Sequence, residues 1–150
     1  MNIKINTRVE KDLLGHKEIP AHCYYGVQTL RALENFNLSP NKLNQFPVFI
    51  NALAMVKAAC AEANFKLNKL EKNKYNAIQY ACEQVINYKY HDQFPIDMIQ
   101  GGAGTSTNMN INEVLANIGL EHLEHLKGEY QYLHPNNDIN TVSYTHLTLP

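Results

Sequence analysis

Net charge is almost absent from this sequence: 13 Lys and Arg against 14 Asp and Glu leave a formal charge of −1 at pH 7. A chain so balanced offers no electrostatic footprint for nucleic acid and none for an anionic membrane surface. Cysteine is scarce, with Cys23, Cys60 and Cys82 far apart and no Cys-x-x-Cys pair. An odd, scattered set argues against a disulfide framework and reads as reduced thiols in a cytoplasmic protein, Cys60 and Cys82 packing inside helices. Long hydrophobic runs are missing too. The longest apolar stretch, Ala52 to Ala63, is interrupted by Lys57 and Glu62, so no bilayer span is expected. The first residues, Met1 to Arg8, lack the apolar core of a signal peptide. Neither an internal repeat nor a low-complexity segment occurs. What is there is 150 residues, 45% hydrophobic and 18% charged, enough for one globular domain with a real core.

The chain is organised around Gln100 to Gly119. Gly101, Gly102 and Gly104 allow a tight backbone turn and a close approach to a ligand, and Thr105, Ser106 and Thr107 follow with three hydroxyls. Ile111, Val114 or Leu115, and Ile118 then recur at helical spacing. A glycine-hydroxyl loop opening a helix aims unpaired N–H groups and the positive end of the helix dipole at one point, which suits a carboxylate as well as a phosphate. A plain turn with a Thr or Asn helix cap uses the same residue types. A nucleotide loop does not: there is no Gly-Lys-Ser/Thr ending, and Gly102-Ala103-Gly104 lacks the third glycine of a dinucleotide turn.

Around this centre the chain reads as mainly α. Ile3, Ile5 and Val9 give a weak strand signal, and Gly15, Pro20 and Gly26 punctuate an extended arm from Asp12 to Tyr25. Val27 to Phe36 fits a short helix. Pro47 opens the clearest one, where Phe49, Leu53, Val56, Cys60, Ala63 and Leu67 form a stripe expected to face the core, with Lys57, Glu62 and Lys66 off it. Tyr75, Ile78, Cys82 and Val85 mark another helix, broken between Asn87 and Pro95. The helix after the glycine loop is expected to run on through Leu123 and Leu126 to Gly128. His122 and His125, flanked by Glu121 and Glu124, do not have the spacing of a zinc motif and read as a solvated helix face.

The segment Gly102-Ala103-Gly104-Thr105-Ser106-Thr107-Asn108-Met109-Asn110, with Asn112-Glu113-Val114-Leu115-Ala116-Asn117 after it, resembles the first sequence block of the aspartase/fumarase superfamily. Six further stretches carry the likeness: Glu10 to Gly15, Ile19 to Ala21, Tyr24 to Thr29, Arg31 to Phe36, Asp92 to Pro95 and His134 to Asn140. Ala103 and Ser106, together with Asp12-Leu13-Leu14-Gly15, favour its ammonia-lyase branch over the fumarases, whose loop reads closer to Gly-Ser-Gly-Thr-Gln.

The resemblance implies the first domain of that fold over residues 1–140, mainly α with a short extended N-terminal arm, stopping before the family's central helical bundle. Residues 141–150, Thr141 to Pro150, replace the family's Lys-Ser/Cys-Gln-Ser-Thr-Asn-Asp segment and are expected to be a non-family tail from truncation or misassembly. The implied reaction is reversible deamination of L-aspartate to fumarate and ammonia, in a cytoplasmic homotetramer with no metal or organic cofactor and no nucleic-acid or membrane partner. Its alternatives are class II fumarate hydration and a non-catalytic helical interaction domain. Ala103, Gly104 and Thr105 are carried over as substrate-binding residues. His134, Asn136 and Asn137 match a second anion-binding segment, with Asn137 where fumarases usually have Asp; a turn or helix-cap role for His134 stays open. The base serine lies in a downstream loop of the family, so no catalytic residue is expected in these 150 residues, and the chain alone is expected to be inactive.

Overall fold

The computed structural model describes residues 6–140, so the tail expected over 141–150 lies outside the described residues. Two antiparallel strands, β1 (Thr7–Asp12) and β2 (Gly15–Pro20), form a hairpin in which Asp12 pairs with Gly15 across the Leu13-Leu14 turn. The extended arm is therefore a folded ribbon. Arg31 pins its tip by donating from Nε and Nη2 to the Asp12 carboxylate at 2.7 and 2.8 Å.

Four helices follow: α1 (Val27–Asn35), α2 (Pro47–Lys66), α3 (Lys72–Ile86) and α4 (Thr105–His122). Short 3-10 turns at Leu43–Gln45 and His91–Gln93 and a π-helical turn at Pro135–Asn140 complete the elements among the described residues. α2 and α3 lie side by side, with Phe65 stacked on Tyr75 at 4.4 Å. α4 packs against α3, α1 and the π-helical turn, and every residue from Met109 to Leu120 is buried.

On α3 the expected positions Ile78, Cys82 and Val85 are buried. On α2 the expected core stripe is used only in part: Leu53 and Cys60 are half-buried against the core. Ile50, Ala54, Lys57 and Ala61 face inward, whereas Phe49, Val56 and Leu67 are 42%, 55% and 67% exposed. The reason is compositional. Alanines and aliphatics occupy both sides of α2, so apolar spacing alone does not choose a face, and α3 approaches closely only where the side chains are small. The same composition makes α2, despite Lys57 and Glu62, long and apolar enough by length and hydropathy to cross a membrane, although in this fold one side of it packs into the core. α4 also ends earlier than its apolar spacing predicts: the helix stops at His122, Glu124 takes φ 64°, and Leu126 is 74% exposed.

A helix buried on every side must find partners for its polar side chains, and α4 uses them to fasten the surrounding loops. Asn117 donates to the Tyr24 carbonyl at 2.7 Å and accepts from the Gly128 amide at 2.8 Å. Asn110 donates to the Gln93 carbonyl at 3.0 Å. Glu113 caps α1 from outside it, accepting from the amides of Gly26, Gln28 and Thr29 and from the Thr29 hydroxyl at 2.7–3.0 Å. Glu10 takes the Val27 amide at 2.9 Å, so two carboxylates share one helix N-terminus. Burial pushes the Glu113 carboxyl up to about 7, against those four donors, which favour its ionised form. Gly26 makes the arrangement possible: a Cβ there would lie 2.6 Å from Glu10 Oε2 and from the Tyr130 hydroxyl.

The segment entering the glycine loop is held by Asp97, which is 1% exposed. Its carboxylate accepts from the Ser39 hydroxyl at 2.7 Å, from the amides of Leu38, Ser39 and Ile99, and from Lys42 Nζ at 3.1 Å. The Ser39 hydroxyl and these amides hold the Asp97 carboxyl far below the usual carboxylate range.

Two outcomes follow from these contacts. Gly26→Ala drives a methyl group into the paired carboxylates and lowers unfolding stability by about 3 kcal/mol, read by urea denaturation. Because the folded-state value of Asp97 lies below its unfolded value of 3.8, its stabilisation is complete above that value and is lost as pH falls through the folded one. Urea midpoints measured from about pH 6 down to about pH 2 should therefore fall less steeply in Asp97→Asn than in the parent, from a lower starting point.

Candidate functional site

The glycine loop turns because Gly102 and Gly104 adopt φ 75° and 80°, a left-handed backbone that suits glycine. Gly104 is the N-cap of α4 and has no side chain with which to cap it. Gln100 does so instead, its Oε1 accepting the Thr107 amide at 2.9 Å and its Nε2 donating to the Thr107 hydroxyl at 2.8 Å. The Gln100 Nε2 also reaches the Asp97 carbonyl at 3.3 Å, joining the loop to the Asp97 anchor. The Asn108 amide returns to the Gly104 carbonyl at 3.0 Å as the first helical bond. The amides of Thr105 and Ser106 find no acceptor among the described residues. Ala103 and Thr105 are exposed and Gly104 is half-buried. Two donor amides, the Thr105 hydroxyl and a positive helix end thus face outward together, an arrangement that binds a carboxylate or another oxyanion.

His134, Asn136 and Asn137 are brought together elsewhere, at the start of the π-helical turn. The amides of Asn136 and Asn137 donate to His134 Nδ1 at 3.0 and 3.2 Å, so a neutral ring carries its proton on Nε2. Burial lowers the His134 pKa, which keeps it in that neutral form. Asp138 braces the turn, accepting the His134 amide at 2.7 Å and pairing with Lys74 at 2.8 Å. His134 therefore organises this turn as a cap. These three residues line one side of a cleft of about 680 Å³ whose other walls include Lys11, Leu14 and Gln28, with Glu113 behind them. Ala103, Gly104 and Thr105 do not line that cleft, and the two predicted groups form separate places on the surface.

Sequence reading missed the residues beneath the loop. Lys57, 3% exposed, donates to Asn108 Oδ1 at 2.8 Å, and Asn108 Nδ2 donates to Asn140 Oδ1 at 2.8 Å. A signal was present: Ala54, Lys57 and Ala61 sit at helical spacing, a lone lysine on a face of small residues. Gln100 carried none, since capping from outside the helix has no fixed spacing. His122 and His125 are ring-stacking partners, on Tyr80 at 4.1 Å and on Tyr132 at 3.7 Å. Among the described residues no group of three or more His, Cys, Asp or Glu is placed to hold a metal ion.

Comparison with known proteins agrees with the fold. The family described as Lyase matches residues 15–145. The aspartate ammonia-lyase of Pseudomonas aeruginosa is 57% identical over 97% of this chain and 31% of its own length, and that of Escherichia coli is 56% identical over 97% and 30%. A fumarate lyase:delta crystallin from Brucella melitensis superposes with a TM-score of 0.88 at 54% identity, covering 90% of this chain and 31% of that one. The class II fumarase of Schistosoma mansoni superposes at 0.84 with 36% identity, over 90% and 28%. The chain thus spans about 30% of the length of the curated relatives it matches. With its helical fold, its glycine-hydroxyl loop and matches of this extent, the chain belongs to the lyase family of the aspartase/fumarase superfamily.

Proposed function

We propose that this chain carries the first substrate-binding block of an L-aspartate ammonia-lyase, which converts L-aspartate reversibly to fumarate and ammonia as part of a cytoplasmic homotetramer. The observation that carries the reading is the outward-facing pair of Thr105 and Ser106 amides on a left-handed Gly104, with Gln100 already occupying the third amide of the helix.

The chemistry asks for that arrangement. A base removes a proton from Cβ, next to the side-chain carboxylate of L-aspartate. The electron pair delocalises into that carboxylate as an aci-form with two negative oxygens. It then returns to form the Cα–Cβ double bond as the C–N bond breaks and the amine leaves as ammonia. The barrier falls only if fixed donors already point at those oxygens, and the Thr105 hydroxyl with the loop amides supplies such donors on a rigid helix end. By resemblance, the base is a serine in a segment that follows this block in longer members. Ala103 and Ser106 support the ammonia-lyase over the hydratase, as do the identities of 56–57% to the two aspartate ammonia-lyases against 36% to the fumarase.

The test is a chimera in which residues 6–140 of this chain replace the matching segment of the Pseudomonas aeruginosa relative. It should release fumarate from L-aspartate and none from L-malate, while the 150-residue chain alone gives no turnover. Thr105→Ala in the chimera should lower kcat/KM for L-aspartate about a hundredfold, the scale of one lost oxyanion donor. A chimera that assembles like its parent but prefers L-malate, or that is indifferent to Thr105→Ala, overturns the proposal.

A further inference from the structure

We infer that Lys57 is a positioning residue for the glycine loop, a buried cation that fixes the first turn of α4 and adds positive potential behind the Thr105 end. The inference rests on the proposed reading of that loop as an anion site.

Lys57 stands on the inward face of α2 between Ala54 and Ala61, each with no exposed surface. Taking an ammonium group out of water costs several kcal/mol, and an apolar side chain of similar length fits an alanine-lined face without that cost. Here the ammonium donates to Asn108 Oδ1 at 2.8 Å. Asn108 is the hub of a short network. Its backbone amide bonds the Gly104 carbonyl at 3.0 Å, the residue whose left-handed turn presents Thr105. Its side-chain amide donates to Asn140 Oδ1, which also accepts from Asn112 Nδ2 at 3.2 Å. Lys57 thereby ties α2, the π-helical turn and the loop to a single side chain one turn below Thr105. A positive charge so close to the positive end of α4 favours an anion there and gives nothing to an empty loop.

The protonation of Lys57 lies within reach of ordinary conditions. Burial lowers its pKa to about 8, and among the described residues the titratable groups facing it are Cys60 on α2 and Cys82 on α3. Burial pushes the Cys82 thiol up to about 12, so it stays neutral while Lys57 titrates. Anion binding at the loop should therefore weaken as Lys57 loses its proton.

The experiment uses the 15N-labelled 150-residue chain, with fumarate as the probe and the Thr105 and Ser106 amide shifts as the readout. Lys57→Gln should weaken the fumarate Kd about tenfold, and Lys57→Arg should stay within about threefold of the parent. The parent's Kd should weaken between about pH 7 and pH 9, and the Gln variant should show no such dependence. A lysine that only fills space predicts unchanged affinity and the same pH profile in parent and variant, and that result overturns the inference. Where Lys57→Gln does not fold, Asn108→Ser removes the Asn108 Oδ1 acceptor and carries the same comparison. If fumarate moves no amide in the parent, the anion reading of the loop fails for this chain, and amide hydrogen exchange judges Lys57. Exchange at Asn108 should then rise about tenfold in the Gln variant while Ala81 to Val85 on α3 are unaffected, whereas uniform acceleration or none rejects the positioning role.

Discussion

Every residue of α4 from Met109 to Leu120 is buried, and the rest of the fold accommodates that burial. An apolar helix in this position would need only packing. This one carries Asn110, Asn112, Glu113 and Asn117 into the interior, where each polar group must be matched or cost free energy. Glu113 is matched by the open end of α1, Asn117 by the Tyr24 and Gly128 backbones, and the Asn110 side-chain amide N–H by the Gln93 carbonyl, while Asn110 Oδ1 and Asn112 Oδ1 find no donor among the described residues. The connecting segments are therefore fastened to one rod, which places α1, the β1–β2 hairpin and the loop before α4 in fixed relation.

A loop on such a rod is held in one shape before any ligand arrives. Asp97 and Gln100 hold the approach to the loop and Asn108 holds its exit, while Gly102 and Gly104 make the turn between. The amides of Thr105 and Ser106 have no acceptor among the described residues, while the third amide of the helix is satisfied by Gln100. Preorganisation of this kind is what an oxyanion intermediate requires, since donors that must first reorient return part of their stabilisation as reorganisation cost.

The π-helical turn makes a contrast. Its amides at Asn136 and Asn137 are directed onto His134 Nδ1, so the segment closes on itself where the glycine loop stays open. It nonetheless meets the loop's support through Asn140, which accepts from both Asn108 and Asn112. The cleft beside His134 and the exposed loop are thus neighbours of one asparagine network while remaining distinct surfaces.

Much of this was legible in the residues. The glycine-hydroxyl loop, the helix after it and the buried positions Ile111, Val114, Leu115 and Ile118 follow from local conformational preference and from spacing, which depend only on near neighbours in the chain. The inward face of α3 was readable for the same reason, Ile78, Cys82 and Val85 recurring on one side of the helix. The inward face of α2 was not, because Phe49 and Val56 on one side and Ile50 and Ala54 on the other satisfy the helical period equally, and only the close approach of α3 selects the small residues. Lys57 illustrates the difference. In the sequence it interrupts an apolar run and lies off the expected core stripe, but in the fold it is buried against Asn108, 51 positions away. The sequence alone determined which segments are helical and where the backbone opens to present donors. The tertiary structure decided which charges enter the core, because partners for a buried charge come from segments distant in the chain, and no local pattern records their arrival.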